Sequence, residues 1–196
     1  MMRKAQINRD TNETKVFVSV NLDGTGQTDI QTGIGFLDHM LDLLGKHSGM
    51  DLTVSCKGDL YIDGHHTTED IGIVLGQALQ SALGDKIGIR RYGSARIPMD
   101  ESLVSVDLDI SGRSFLIINA KLTSPKVGDF DTSLVEEFFR AIAQNSKITL
   151  HINCEYGKND HHIIEGMFKA FARALRSAVE IDPRFAKDLP TTKGVL

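Results

Sequence analysis

The sequence predicts an α+β fold in which an internally duplicated unit of strands, helix, strand and helix packs its helices on one face of each sheet. Three observations predict it. First, the motif His65-His66-x-x-Glu69 returns 96 residues later as His161-His162-x-x-Glu165. Second, upstream segments correspond at a spacing of 98: Leu37 to Leu41 with Val135 to Phe139, and Leu52 to Cys56 with Leu150 to Cys154. Third, Ile71, Leu75 and Leu79 match Met167, Phe171 and Leu175, an i, i+4, i+8 apolar stripe that seats a helix on a core. Self-similarity on this scale divides the chain into halves of about 98 residues, 1–88 and 89–196. No low-complexity linker separates them, so together they are expected to form one compact domain.

Each element has its own signal. Val16, Val18 and Val20 alternate with Phe17 and Ser19, which predicts a strand over 15–22 closed by an Asp23-Gly24 turn. A second strand is expected over 27–31. Leu37, Met40, Leu41 and Leu44 share one side of a helix over 38–46, residues 52–56 return as a strand, and a second helix follows His65. Residues 85–98, rich in Gly, Arg and Lys, read as the connection between the halves. The pattern then restarts with strands over 103–110 and 114–118 joined across Ser111-Gly112-Arg113, a helix over 132–144, a strand over 148–152 and a helix over 162–179. Sheets covered by helices on one face would leave opposite apolar faces for neighbouring copies to cover.

Composition bounds the function classes. A chain of 196 residues with 41% apolar and 24% charged residues can bury a sizeable core. A net charge of -4, with Lys and Arg scattered, offers no general field for nucleic acid. No run approaches a membrane span, and Met1 to Gln6 leads into polar residues without an apolar targeting core, so a cytoplasmic protein is expected. Cys56 and Cys154 hold equivalent places in the repeats and read as buried free thiols, with a disulfide as the alternative.

The repeated motif constrains its own chemistry. Residues four apart share a helical face, whereas neighbours diverge by about 100°. His65 can therefore share an ion with Glu69, and His161 with Glu165, while His66 and His162 point elsewhere. Each motif serves two metals. Imidazoles with carboxylates and no thiolates suit manganese, iron or zinc. A dinuclear metallohydrolase and a metal-storage protein could both use such ligands, and Arg113 and Lys193, each taken alone, read as solvated surface charges.

Five separated segments carry a resemblance: Gly35-Phe36-Leu37-Asp38-His39-Met40-Leu41, Asp63-Gly64-His65-His66-Thr67-Thr68-Glu69-Asp70, Asp109-Ile110-Ser111-Gly112-Arg113, Lys158-Asn159-Asp160-His161-His162-Ile163-Ile164-Glu165 and Thr191-Thr192-Lys193-Gly194-Val195-Leu196. In order and across almost the whole chain, they resemble the monofunctional imidazoleglycerol-phosphate dehydratases of histidine biosynthesis. The resemblance implies a fold like domain 2 of ribosomal protein S5. It also implies a phosphorylated imidazole substrate and two Mn2+ per active site, in a homo-oligomer of 24 subunits with sites between subunits.

Carried over by position, one metal takes His39, His66, His161 and Glu165; the other takes His65, Glu69, His162 and the residue at 137. Many family members have histidine where this chain has Glu137. Glu137 is expected to stand in as the ligand through its carboxylate oxygen, with His151 as the alternative, and a structural hydrogen-bonding role is the preferred reading of His151. The resemblance further implies substrate contacts at Glu13, His39, His47, His65, Glu69, Arg91, Arg113, His161, Lys169, Thr191, Thr192 and Lys193. For His47 the other reading is a cap at the end of its helix.

The reaction implied is loss of water from D-erythro-imidazoleglycerol phosphate to give imidazoleacetol phosphate. No carbonyl acidifies the proton to be lost, so the ring must supply the electronic help. Lewis acids on its nitrogens favour the imidazolate, which expels the adjacent hydroxyl to give a diazafulvene-like species. Glu13, Glu69 and Glu165 are the candidates for general acid/base work. Arg offers the phosphate a bidentate fork and Lys a point charge.

Overall fold

The computed structural model describes residues 3–196, so the first two methionines of the amino-terminal stretch discussed above lie outside the described residues. The first half runs β1 (Lys4–Asp10), β2 (Thr14–Asn21), β3 (Thr28–Gln31), α1 (Gly35–Ser48), β4 (Asp51–Gly58) and α2 (His65–Leu83). The second runs β5 (Tyr92–Met99), β6 (Ser102–Asp109), β7 (Phe115–Asn119), a short hairpin of β8 (Lys126–Val127) and β9 (Phe130–Asp131), α3 (Leu134–Ser146), β10 (Thr149–Tyr156) and α4 (Asp160–Val179). The two four-stranded sheets share one order, β1-β2-β4-β3 and β5-β6-β10-β7. In each, the last pair is parallel and the others antiparallel.

Period-two alternation decides which face meets the helices. Val16, Val18, Val20, Leu52 and Val54 are buried on one sheet, as are Val104, Val106, Leu108, Leu150 and Ile152 on the other. Both inner faces and all four helices enclose one core. Helices pair across the repeats, α1 on α4 and α2 on α3. At the α2–α3 crossing a side chain at Gly72 would lie 2.9 Å from the Phe138 carbonyl oxygen, so only glycine permits this approach. Phe139 and Phe168, 5.0 Å between ring centroids, fill the middle of the core.

Two expectations need correction, and two features were not foreseen. Residues 92–98 are not connection but most of strand β5, whose inward positions are Gly93, Ala95 and Ile97; small residues conceal the alternation. Strand β1 was also unforeseen, because Ala5 and Ile7 are its only apolar inward residues. Strands β6 and β7, though consecutive, are not neighbours, since β10 lies between them. The sheet faces turned away from the helices are mixed rather than apolar: Lys15, Ser19, Thr53 and Ser55 stand with Phe17 on one, and Asp107, His151 and Asn153 with Leu103 on the other, with Phe115 and Ile117 exposed at its β7 edge.

The repeat spacing is also uneven. Strands β1 and β2 precede β5 and β6 by 88 residues, whereas α1 and β4 precede their counterparts by 98 or 99. The extra residues are the β8–β9 hairpin and its flanks. Asp160, at the start of α4, ties this insertion down by accepting hydrogen bonds from the backbone amides of Thr123, at 2.8 Å, and Ser124.

Candidate active site

The carboxyl group of Asp38 accepts bonds from the Thr32 amide and hydroxyl, at 2.8 and 2.5 Å, which anchors the first turn of α1. The next residue, His39, faces α4. There the Asn159 side chain caps the helix by accepting from the His161 amide at 3.0 Å, and Phe36 packs edge-on against the His161 ring at 5.1 Å. The result is a cluster: Glu165 Oε2 lies 3.2 Å from His161 Nε2 and 3.5 Å from His39 Nε2. The three ligand atoms lie within 4.8 Å of one another. Two imidazoles and a carboxylate fit a divalent metal of the manganese, iron or zinc kind. Burial pushes the Glu165 carboxyl up, but the Lys169 ammonium at 2.5 Å, together with His39, outweighs it and holds the group below the ordinary carboxylate range.

In the first repeat, Asp63 accepts from the His65 amide at 2.7 Å at the start of α2. His65 Nε2 stands 3.8 Å from Glu69 Oε2, the i, i+4 pairing that the spacing required. His66 faces elsewhere. Its Nδ1 lies 3.0 Å from Asp59, which with Glu13 raises its pKa, and its Nε2 lies 3.8 Å from Glu13 Oε1. The Glu13 backbone is held by the Thr11 hydroxyl, which accepts from its amide at 3.1 Å, and by the Asp59 amide, which donates to its carbonyl at 3.1 Å. Buried Asp70 ties α2 to this turn by accepting from Arg9 at 2.8 Å and from the Thr14 hydroxyl.

His162 mirrors His66 with different partners. Its Nδ1 lies 2.7 Å from Glu101 Oε2 and its Nε2 lies 3.7 Å from Asp100. The Glu101 contact raises the His162 pKa and, with the amides of Asn159 and Lys158, lowers that of Glu101.

Not every expected residue is brought together. Among the described residues the metal-type cluster comprises His39, His161 and Glu165 only. His66, expected with them, sits beside Asp59 and Glu13. Glu137, on α3, is 3.8 Å from Arg140 Nε rather than grouped with His65 and Glu69. His151 alternates with buried Leu150 and Ile152, which places it on the sheet face turned away from the helices. His47, in the last turn of α1, is pushed below the ordinary histidine value by burial, then by Lys169 and Arg173. Lys169 stands with Glu165. Sequence reasoning missed Asp59, Asp70 and Glu101; matching the strands at 88 residues would have paired Glu101 with Glu13.

The remaining cations gather elsewhere. Arg91, Arg113, Thr191, Thr192 and Lys193 line one cleft of about 550 Å³. Gly112, at φ 74°, turns the chain so that Arg113 reaches it. Arg91 donates twice to Asp109, at 2.7 and 3.1 Å, and once to the Pro190 carbonyl at 2.9 Å, pinning the carboxyl-terminal segment. Its amide donates to the Ala178 carbonyl at the carboxyl end of α4. Glu165 lies near the other end of that helix, so roughly 20 Å of helix separates the two groups.

A histidine and glutamate cluster fit for a divalent metal, on a duplicated α+β chain with a separate cationic cleft, defines an enzyme for a small phosphorylated molecule. The family described as imidazoleglycerol-phosphate dehydratase matches residues 32–175, and the chain belongs to this family of hydro-lyases of histidine biosynthesis. It is 59% identical to the imidazoleglycerol-phosphate dehydratase of Azorhizobium caulinodans over 195 residues, covering 100% of this chain and 99% of that one. It is 57% identical to that of an Exiguobacterium species, covering 98% of each. The crystal structure of the Staphylococcus aureus enzyme superposes with a TM-score of 0.84 at 47% identity, covering 91% of this chain and 99% of that one. That from Pyrococcus furiosus gives 0.83 at 36%, covering 97% and 100%. The fold class and family read from the motifs therefore hold.

Proposed function

We propose that this hydro-lyase works with two divalent metals, manganese in the first instance, in sites completed between copies of the chain in the cytoplasm. One observation carries the shared-site reading. The imidazole and carboxylate cluster and the cationic cleft flank opposite ends of α4, roughly 20 Å apart. That is longer than a molecule of one imidazole ring, three carbons and a phosphate. The cleft of one copy would therefore serve the cluster of another, in a shell for which we propose 24 subunits.

His39, His161 and Glu165, joined by His66 of another copy, would hold one metal; His65, Glu69, His162 and Glu137 the other. Held by these residues, divalent metals would supply Lewis acidity to the substrate's ring. The chain's own groups do the rest. Arg113, Lys193 and the hydroxyls of Thr191 and Thr192 bind the phosphate, and Arg91 holds the segment that presents them. Lys169 keeps Glu165 ionised as a ligand. The ring expels the first hydroxyl, which leaves as water with the proton given up by the ring nitrogen. Glu13, held at its backbone but half exposed at its side chain, then takes the proton from the carbon that bears the second hydroxyl, and the resulting enol becomes the ketone on protonation of the ring-bearing carbon. The halves, 1–88 and 89–196, act as one unit because their helices pair crosswise.

The test is conversion of imidazoleglycerol phosphate to the ketone, read as the alkaline enol, on chelator-stripped and reconstituted protein. Manganese should restore activity, and chelation should shrink the particle in light scattering. A stripped protein that keeps full activity, or a particle whose size ignores the chelator, contradicts the respective part of the proposal.

A further inference from the structure

The duplication places two glutamates in matching positions. Glu13 immediately precedes β2 and Glu101 immediately precedes β6, 88 residues on. Each stands beside the second histidine of its own repeat, Glu13 beside His66 and Glu101 beside His162. They stand on different sides of the ring. Glu13 lies 3.8 Å from the Nε2 of His66, whereas Glu101 lies 2.7 Å from the Nδ1 of His162.

A second pair of positions explains the difference. In the first repeat the residue that follows β4 is Asp59, and it holds His66 Nδ1 at 3.0 Å. In the second repeat the residue that follows β10 is Gly157, which has no side chain to offer. None could be added: a Cβ there would lie 2.5 Å from the Ser102 hydroxyl and 2.7 Å from the Ile163 side chain. The Nδ1 partner of His162 must come from elsewhere, and Glu101 provides it. Its other oxygen is fixed by the Asn159 amide at 2.8 Å, the Lys158 amide at 3.1 Å and the Ser102 hydroxyl at 3.0 Å.

We infer that Glu101 is a positioning residue: it accepts the Nδ1 proton of His162 and so leaves Nε2, which has only the exposed Asp100 carboxylate 3.7 Å away, as the unprotonated nitrogen that can ligate a metal. The duplicated glutamates have divided their work. Glu13 keeps the Nε2 side, where substrate chemistry occurs, because Asp59 orients its histidine from behind. Glu101 has taken over that rear position. An imidazole has one proton for two nitrogens when neutral, so a carboxylate at Nδ1 selects the tautomer that can bind metal at Nε2. The inference rests on the reading of His162 as a ligand.

The test titrates Mn2+ into chelator-stripped full-length protein and reads free Mn2+ by its paramagnetic resonance. Glu101→Gln keeps the shape and one accepting oxygen for the amides, but its NH2 would donate to Nδ1 and force the proton to Nε2. Its affinity for half of the Mn2+ should fall roughly 10- to 100-fold, with the melting midpoint of the metal-free protein unchanged. Glu101→Asp, still an acceptor, should fall between wild type and Glu101→Gln, and it carries the test if the glutamine variant does not fold. In a His162→Gln background, Glu101→Gln should cost nothing further. Wild-type Mn2+ binding by Glu101→Gln, where His162→Gln loses a site, would overturn the role of Glu101 alone. So would a Glu101→Gln loss that persists undiminished without His162. If His162→Gln binds like wild type, the ligand reading fails and the inference falls with it.

Discussion

His39 Nε2 and Glu165 Oε2 stand 3.5 Å apart on helices that belong to different repeats. Neither half of the chain can form this pair. It exists because α1 docks on α4, so the packing that buries the core also assembles the ligand cluster.

His39→Ala removes one imidazole from that cluster without touching the core, since the side chain is 48% exposed. Mn2+ affinity should fall by about 100-fold or more, at or beyond the top of the range for outer groups, while the melting point of the metal-free protein stays within a degree or two. Calorimetric titration with Mn2+ checks this; unchanged affinity removes His39 from the ligand set.

Arg91 holds the carboxyl-terminal segment through one carbonyl and is itself held by Asp109. A lysine there cannot reproduce the planar fork. Arg91→Lys should raise KM for the phosphorylated substrate more than it lowers kcat, and should speed proteolytic clipping after residue 185. Lys193→Ala should raise KM and leave clipping as in wild type. Equal clipping of Arg91→Lys and wild type would show that the pin is not needed.

Gly93 lies in β5 against α4, where an added Cβ would meet the Ala174 carbonyl oxygen at 1.9 Å. Alanine gains about 0.5–1 kcal/mol by relieving the entropic cost of glycine in a strand, but overpacking against backbone costs about 1–3 kcal/mol. The clash wins. Gly93→Ala should lose roughly 1–2 kcal/mol in urea unfolding, and a stabilised variant would show that α4 can move away freely.

Cys56 and Cys154 are free thiols. Burial pushes Cys56 up to about 11 from 9.0, outweighing the Thr67 hydroxyl that opposes it. Its thiolate is then about a hundredfold scarcer near neutral pH, and the thiolate is the species that alkylates. At pH 8, iodoacetamide should label Cys56 in the native protein at least tenfold more slowly than in urea. Equal rates would mean that the end of β4 opens freely.

His47 offers a pH test. Its folded pKa lies below its ordinary value of 6.5, so the unfolded chain binds this proton more readily. By linkage its contribution is level above about 6.5, and stability falls as pH drops below it. His66 and His162, both raised, act in the opposite sense and lose stability as pH rises. Between pH 7.5 and 5.5, His47→Gln should therefore lose less stability than wild type, or gain more, because only the contribution that falls with pH is removed. Matching urea midpoints at both pH values for the two proteins would refute the assignment.

Much of this molecule was legible in the chain alone. Ile71, Leu75 and Leu79 recur as Met167, Phe171 and Leu175, and local periodicity depends on burial of one face, so it announces helix and duplication without tertiary knowledge. The i, i+4 pairing of His65 with Glu69 and His161 with Glu165 is likewise local geometry. Strands β1 and β5 were hidden because small or charged residues such as Gly93 and Arg96 carry little hydrophobic signal. What covers them is the rest of the sheet and α4.

Only the tertiary structure decided which residues meet across long separations. His39 joins Glu165, Glu101 takes His162 where Gly157 leaves no room for another carboxylate, and Arg91 faces the end of α4 remote from Glu165. Sequence spacing governs contacts within one helix or strand. Contacts between elements depend on how the elements dock, and docking follows from the shape of the whole core.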